Sequence, residues 1–196
     1  MLNFTVRHYQ SDDEEAAIDL WRRTWQAAYP AFDFAARVPW WRERWRRELV
    51  PMSAITIAEA DDKLIGFVTI EETGYLDQIV VAPEAWGSTV AAALLDDAKI
   101  VAPHGIDLHV NKDNVRAIRF YEKHGFFVGG EDVNPHSQSP ILMMCWRPSR
   151  LRSESEDSSP QNLGAAFNVF VSSSYARSVF CAAGFAGSNR VFPSIL

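Results

Sequence analysis

Polar and apolar residues take turns from residue 4 to residue 9, the period of a strand with one buried face. Ser11 followed by Glu14 forms a capping box, so a helix is predicted to start there. Its Ala17, Leu20, Trp21, Thr24 and Ala28 fall along one stripe, and Pro30 lies at or just after its end. Pro39 can open a second helix, with Trp41, Trp45 and Leu49 on neighbouring turns. Arg42, Arg44, Arg46 and Arg47 fan around the remainder and read as a solvated face, the alternative being a clamp for an acidic substrate.

Three β-rich runs follow, over residues 54–60, 64–71 and 75–81. Turns at Asp61-Asp62 and Glu72-Thr73-Gly74 separate them, which predicts an antiparallel meander. The period then changes. Between residues 88 and 101, Val90, Ala91, Leu94, Leu95 and Ala98 recur at helical spacing, and Pro103 and Gly105 close the segment. Residues 106–110 read as another strand. Asp113 can cap a helix running through Lys123, with Gly125 where a left-handed residue ends it. Residues 126–128 and 141–146 are the last strands, joined by a polar loop over 131–139. The order predicts a mixed α/β (α+β) domain, a mostly antiparallel sheet flanked by helices, ending near Pro148.

The rest of the chain differs in character. Ser153 to Ser159 is a run of Ser, Glu and Asp, a solvated linker by composition. Residues 163–187 carry one charge, Arg177, but Gly and the Ser172-Ser173-Ser174 run interrupt them. We therefore divide the chain into a domain over 1–149 and a linker and tail over 150–196, expected to be disordered or loosely docked. The apolar stretch is too broken for a membrane span. A net charge of −6 gives no electrostatic footprint for nucleic acid. Cys145 and Cys181 make no disulfide framework, and the five histidines share no ligand spacing, so no metal is expected. Residues 1–10 lack the apolar core of an export signal, so a cytoplasmic protein is expected.

The most informative segment runs from Tyr75 to Leu95, YLDQIVVAPEAWGSTVAAALL. A strand enters a short turn with Pro83 and Gly87 and passes straight into an apolar helix. Such a junction aims backbone N–H groups and a helix dipole at one spot, which suits a pyrophosphate. The segment resembles the acetyl-CoA-binding motif of the GNAT superfamily, V-x-P-x-x-[RQ]-G-x-G-[IVA]-[GA]-x-x-L-L. Val81, Pro83, Gly87, Val90, Ala91, Leu94 and Leu95 stand on matching positions. A second block, LHVNKDNVRAIRFYEKHGF, resembles the next strand and helix of the same superfamily. It matches through Asn111, Asn114, Ala117, Phe120, Tyr121, Glu122, Gly125 and Phe126. Two departures stand out: Trp86 occupies the Arg/Gln position, and Thr89 replaces the second glycine. A Cβ at Thr89 would hinder a positive φ, although the Ser88 and Thr89 hydroxyls can donate to phosphate. Trp86 either covers the turn or stacks on part of the cofactor.

The resemblance implies a GNAT-like acyltransferase fold and transfer of an acetyl group from acetyl-CoA to a primary amine in a ternary complex. It implies Tyr121 as the acid that protonates the departing thiolate, since a phenol with a pKa of about 10 is a fitting donor; the alternative is a core aromatic. Asp77 is the candidate general base, with Glu71 and Glu72 as alternatives. Ile79 and Val81 would polarise the acetyl carbonyl through backbone N–H groups. Trp86, Gly87, Ser88, Thr89, Val90 and Ala91 would form the cofactor loop. Asn114 would hold the pantetheine arm or merely start its helix. Acceptor choice is expected from Trp25, Tyr29, Trp40, Trp41 and the 131–139 loop. The acceptor, a small molecule or a protein amine, stays open, as does a homodimer. The second reading is a non-catalytic acyl-CoA-binding or interaction module on the same fold.

Overall fold

A computed structural model of the chain describes residues 2–134 and 138–148. The expectation for the 150–196 tail lies outside the described residues. Strand β1 (Thr5–His8) leads through a 3-10 turn (Ser11–Asp13) into helix α1 (Glu14–Ala28). The entry is capped differently from the predicted box: the Asp13 carboxylate accepts from the Gln10 N–H at 2.8 Å. The buried stripe of α1 is Ala17, Ile18, Leu20, Trp21, Thr24 and Trp25.

Helix α2 (Val38–Arg44) starts beside Pro39 and passes through a π-helical turn (Trp45–Leu49) into a short helix α3 (Val50–Met52). The indoles of Trp21 and Trp41 stack at 4.5 Å with an 8° interplanar angle, locking α1 to α2. Phe34 meets Trp21 edge-on at 5.8 Å, and Trp45 meets Phe67 of the sheet at 5.2 Å. Ring pairs of this kind add about 0.5–1.5 kcal/mol each beyond the area they bury. Trp25 and Trp41, expected to select the acceptor, are core residues at 0% and 1% exposure, which removes them from that role. Trp40, at 37%, reaches solvent.

Strands β2 (Ser53–Ala60), β3 (Lys63–Glu71) and β4 (Leu76–Val81) form the predicted meander, and β1 adds antiparallel to β2. Helix α4 (Val90–Val101) covers this sheet with Val90, Leu94, Leu95 and Ala98. Then come β5 (Ile106–Asn111), helix α5 (Val115–Lys123), β6 (Phe127–Val133) and β7 (Pro140–Trp146). These last strands form a second antiparallel sheet in the order β5-β7-β6. Residues 131–133, expected in a polar loop, extend β6 as exposed strand. Gly125 takes φ +86° after α5, as its position predicts. The helix is capped by Asn114 rather than Asp113: Asn114 Oδ1 accepts from the Ala117 N–H at 3.1 Å.

The two sheets meet at one parallel bridge, Tyr75 with Asp107, where the Asp107 N–H donates to the Gly74 carbonyl at 2.9 Å. Beyond it β4 and β5 belong to different sheets. Their parting opens the edge of β4.

Candidate active site

The geometry of that edge follows from ladder arithmetic. The Ala82 N–H donates to Ile65 O at 2.8 Å, and Val80 pairs with Phe67. Hydrogen-bonded and non-hydrogen-bonded pairs alternate along an antiparallel ladder, so Ile79 and Val81 turn their backbone polar groups away from β3. The Val81 carbonyl confirms this direction by accepting from Trp86 Nε1 at 2.8 Å. The Ile79 and Val81 N–H groups therefore point to the side where β4 and β5 have parted. A bulge helps to aim them. Leu76 pairs with Ile70 and Gln78 with Thr69, which leaves Asp77 as the extra residue. Bulges bend a strand and re-aim its groups.

Asp77 is not a bare carboxylate. Arg44 reaches it with two nitrogens, Nη1 to Oδ1 at 3.1 Å and Nη2 to Oδ2, and Gln78 Nε2 donates to Oδ1 at 2.9 Å. Arg44 is 7% exposed, so the reading of all four arginines as a solvated face fails for this one. Its guanidinium lies 5.4 Å over the Trp41 ring, and Nε donates to Glu48 at 3.2 Å. Burial works against the charge, but Asp77 and Glu48 outweigh it and hold Arg44 above the ordinary arginine value. An oxygen pair already accepting three donors is poorly placed to receive a proton from an amine. The alternative Glu71 is buried and accepts from Thr73 Oγ1 at 3.1 Å, while Glu72 is exposed.

The loop after β4 is built for one glycine, not two. Gly87 has φ +80°, a conformation that side chains other than glycine rarely adopt. Thr89 has φ −84° and ψ 0°, an ordinary region for threonine, so its Cβ causes none of the hindrance expected from the sequence. Ser88 Oγ ties the loop down, donating to Ala85 O at 2.6 Å and accepting from the Val90 N–H at 3.3 Å. The i→i−4 ladder of α4 begins with the Ala93 N–H on Thr89 O. The N–H groups of Ala91 and Ala92 precede it, at the positive end of the helix dipole.

Beside this loop lies a cavity of about 560 Å³, lined by Gly87, Ser88, Thr89, Arg116, Arg119 and Lys123 among others. The three cations stand on α5 at spacings of three and four, a single helical face that the sequence reading did not single out. A second cavity of about 410 Å³ adjoins it through Arg116, with Tyr29, Trp86 and Asn114 in its wall. The Trp86 indole lies 4.4 Å beneath the guanidinium of Arg116, the residue common to both walls. Its bond to Val81 and its place under Arg116 make it a cover for the turn. Tyr121 lies on the buried side of α5 with Ala117, packed at 5.4 Å on Phe120 and 5.2 Å on Phe126.

One pair escaped the sequence reading. Tyr75 and His109 share a hydrogen bond of 3.2 Å between Oη and Nδ1, just past the bridge that joins the sheets. Only long-range pairing brings them together, so no local pattern announces it. Among the described residues, no His, Cys, Asp and Glu group gathers to hold a metal ion, and no helix is long and apolar enough to cross a membrane.

The open β4 edge, the one-glycine loop and the basic cavity fit an acyl-CoA: N–H donors for a carbonyl, then cations and helix N–H groups for phosphates. The sequence matches the Acetyltransferase (GNAT) family over residues 14–126, more than half of the chain. It is 29% identical over 127 residues to the peptidyl-lysine N-acetyltransferase YjaB of Salmonella typhimurium, covering 64% of this chain and 84% of that protein. It is 28% identical over 144 residues to the peptidyl-lysine N-acetyltransferase YiaC of Escherichia coli, covering 72% and 95%. Among solved structures, the PaiA N-acetyltransferase of Thermoplasma acidophilum in complex with coenzyme A has the same fold. That likeness has a TM-score of 0.61 at 20% identity, over 75% of this chain and 100% of that one. The chain belongs to the GNAT family and is an acetyl-CoA-dependent N-acetyltransferase.

Proposed function

We propose that this protein transfers the acetyl group of acetyl-CoA to a primary amine by direct attack, with a lysine side chain of a polypeptide as the first acceptor to test. The observation that carries this reading is the outward pair of N–H groups at Ile79 and Val81, next to a basic cavity of about 560 Å³. Both curated relatives named above act, by their names, on peptidyl-lysine. When bound, acetyl-CoA supplies an acyl thioester, already activated toward amines.

The residues divide the remaining work. The Ile79 and Val81 N–H groups stabilise negative charge on the acetyl oxygen, a contribution that a donor fixed in advance makes without reorganisation. Arg116, Arg119 and Lys123 hold phosphate charge, with Ser88, Thr89 and the first N–H groups of α4 opposite them. Tyr121 gives a proton to the leaving sulfur. Asp77 serves here as the partner that keeps Arg44 buried and the β4 bulge in place, rather than as the base. Asn114 acts through its cap on α5, which fixes the helix that carries Arg116 and Tyr121.

Calorimetric titration with acetyl-CoA, followed by thiol release against a panel of amines and lysine peptides, tests the reading. Binding with turnover on a primary amine supports it. Binding without turnover on any amine counts against it.

A further inference from the structure

Trp86 stands where the family pattern places Arg or Gln, side chains with several N–H donors. An indole has a single N–H, and here Nε1 spends it on the Val81 carbonyl at 2.8 Å. This loop position therefore has no side-chain donor left for a ligand. What Trp86 still offers is its ring face, and the Arg116 guanidinium lies 4.4 Å over it. The indole thus links two elements: its N–H grips the last residue of β4, and its face carries a side chain of α5.

Arg116 is a cation without an anion. The arginines of α1, of α2 and of the π-helical turn each pair with a carboxylate. Among the described residues Arg116 pairs with none, and the exposed Asp113 three residues earlier is no exception. Partial burial lowers Arg116 below the ordinary arginine value, and no carboxylate opposes the shift. A cation–π contact steadies a guanidinium without consuming any of its five N–H donors. Arg116 is held in place with those donors unspent.

Its position indicates which anion it meets. Arg116 belongs to the walls of both cavities. The larger is basic, with Arg119 and Lys123 beside the 87–89 turn. The smaller has Tyr29, Trp86 and Asn114 in its wall and, among the described residues, no further cation. Charge runs the same way along acetyl-CoA. The 3′-phosphate lies at the adenosine end, the diphosphate follows, and the pantetheine arm beyond it is neutral. A residue at the edge of the basic wall meets the last charged group before the neutral arm.

We propose that Arg116 holds the diphosphate of acetyl-CoA and that Trp86 is the residue that positions it, so that α5 supplies the guanidinium that the loop does not. This assignment rests on the acetyl-transfer reading above and names one contact within it. The Arg116 N–H groups donate to diphosphate oxygens together with the first N–H groups of α4.

The test is a double-mutant cycle on affinity, read by calorimetry with acetyl-CoA and with acetyl-dephospho-CoA, which lacks the 3′-phosphate. Arg116→Ala should weaken both ligands by roughly tenfold, the loss of a charged hydrogen bond. It should also make affinity less sensitive to salt. Trp86→Leu should weaken acetyl-CoA by a similar factor alone, but by less than about twofold where Arg116 is already alanine. Trp86→Phe keeps a ring face and drops the Nε1–H, and should stay within about threefold of wild type. A loss confined to acetyl-CoA, or a wild type that holds acetyl-CoA but not its dephospho form, would place the charge at the 3′-phosphate and overturn the assignment. Equal costs of Trp86→Leu with and without Arg116 would report only a damaged loop and overturn the positioning role. Should Trp86→Leu not fold, a roughly tenfold loss in Trp86→Phe overturns that role instead. A wild type that binds neither ligand would overturn the transfer reading and this assignment together, whereas binding indifferent to Arg116→Ala overturns the assignment alone.

Discussion

The guanidinium of Arg44 and the carboxylate of Asp77 face each other across the α2–β4 contact as a two-point pair, 7% and 15% exposed at the side chain. The carboxylate stands at the bulge of β4, and the guanidinium precedes the π-helical turn that ends α2. The pair thus pins two irregular backbone segments to one another. Removing one partner leaves a buried charge without compensation, which costs about 3–5 kcal/mol. Arg44→Met alone should show that loss in urea unfolding, and the double variant Arg44→Met/Asp77→Leu should recover much of it. A single variant within 1 kcal/mol of wild type, on the order of a surface ion pair, would show that the pair is solvated in solution.

Asp77→Asn separates this role from that of a base. The substitution should lower stability yet leave the shape of the pH–rate profile as it is in wild type. Activity that falls at neutral pH and recovers at alkaline pH, where the amine is already neutral, would return the carboxylate to the chemistry.

Tyr121→Phe removes only a hydroxyl. If that hydroxyl protonates the leaving sulfur, kcat should fall roughly 10²-fold while the KM for acetyl-CoA barely moves. An unchanged kcat would make Tyr121 a core aromatic beside Phe120 and Phe126.

Gly87 and Thr89 make opposite predictions although the family pattern has glycine at both. A Cβ at Gly87 meets nothing within 4 Å, so Gly87→Ala is penalised by its φ of +80° alone, by about 1–2 kcal/mol. Thr89→Gly relieves no strain, because Thr89 already has an ordinary φ. Its acetyl-CoA affinity should stay within about twofold, unless the hydroxyl contacts phosphate, which would weaken binding by about 1.5–3 kcal/mol. Calorimetry on the two variants, with thermal unfolding alongside, reads both effects.

The element order was legible because local chemistry decided it. The apolar stripe of α1, Pro39 at the start of α2 and Gly125 after α5 each act within a turn of the chain. The motif around Gly87 and the one around Tyr121 were legible as a family pattern. Arg44 follows Trp41 by three residues, which puts it on the indole's side of the helix, and that spacing rather than its charge decides its burial. A glycine in a family pattern does not by itself demand a positive φ, as Thr89 at φ −84° shows. Nothing local could reveal where β4 and β5 part, nor that Tyr75 meets His109, since both depend on pairings between distant strands.

The basic face of α5 offers a further check. Arg119→Ala and Lys123→Ala should each weaken acetyl-CoA binding by roughly tenfold if they contact phosphate through charged hydrogen bonds. Raising the salt concentration should narrow the gap between wild type and variants. Equal affinities at low salt would take the cofactor out of this cavity.

The most direct test of the account is a turnover assay with acetyl-CoA and a lysine-containing peptide, reading released thiol and peptide mass together. Thiol release should depend on the peptide and be matched by the gain of one acetyl group on a lysine or another primary amine. Acetyl-CoA bound tightly by the wild-type protein, with neither thiol released nor mass gained on any amine offered, would contradict it.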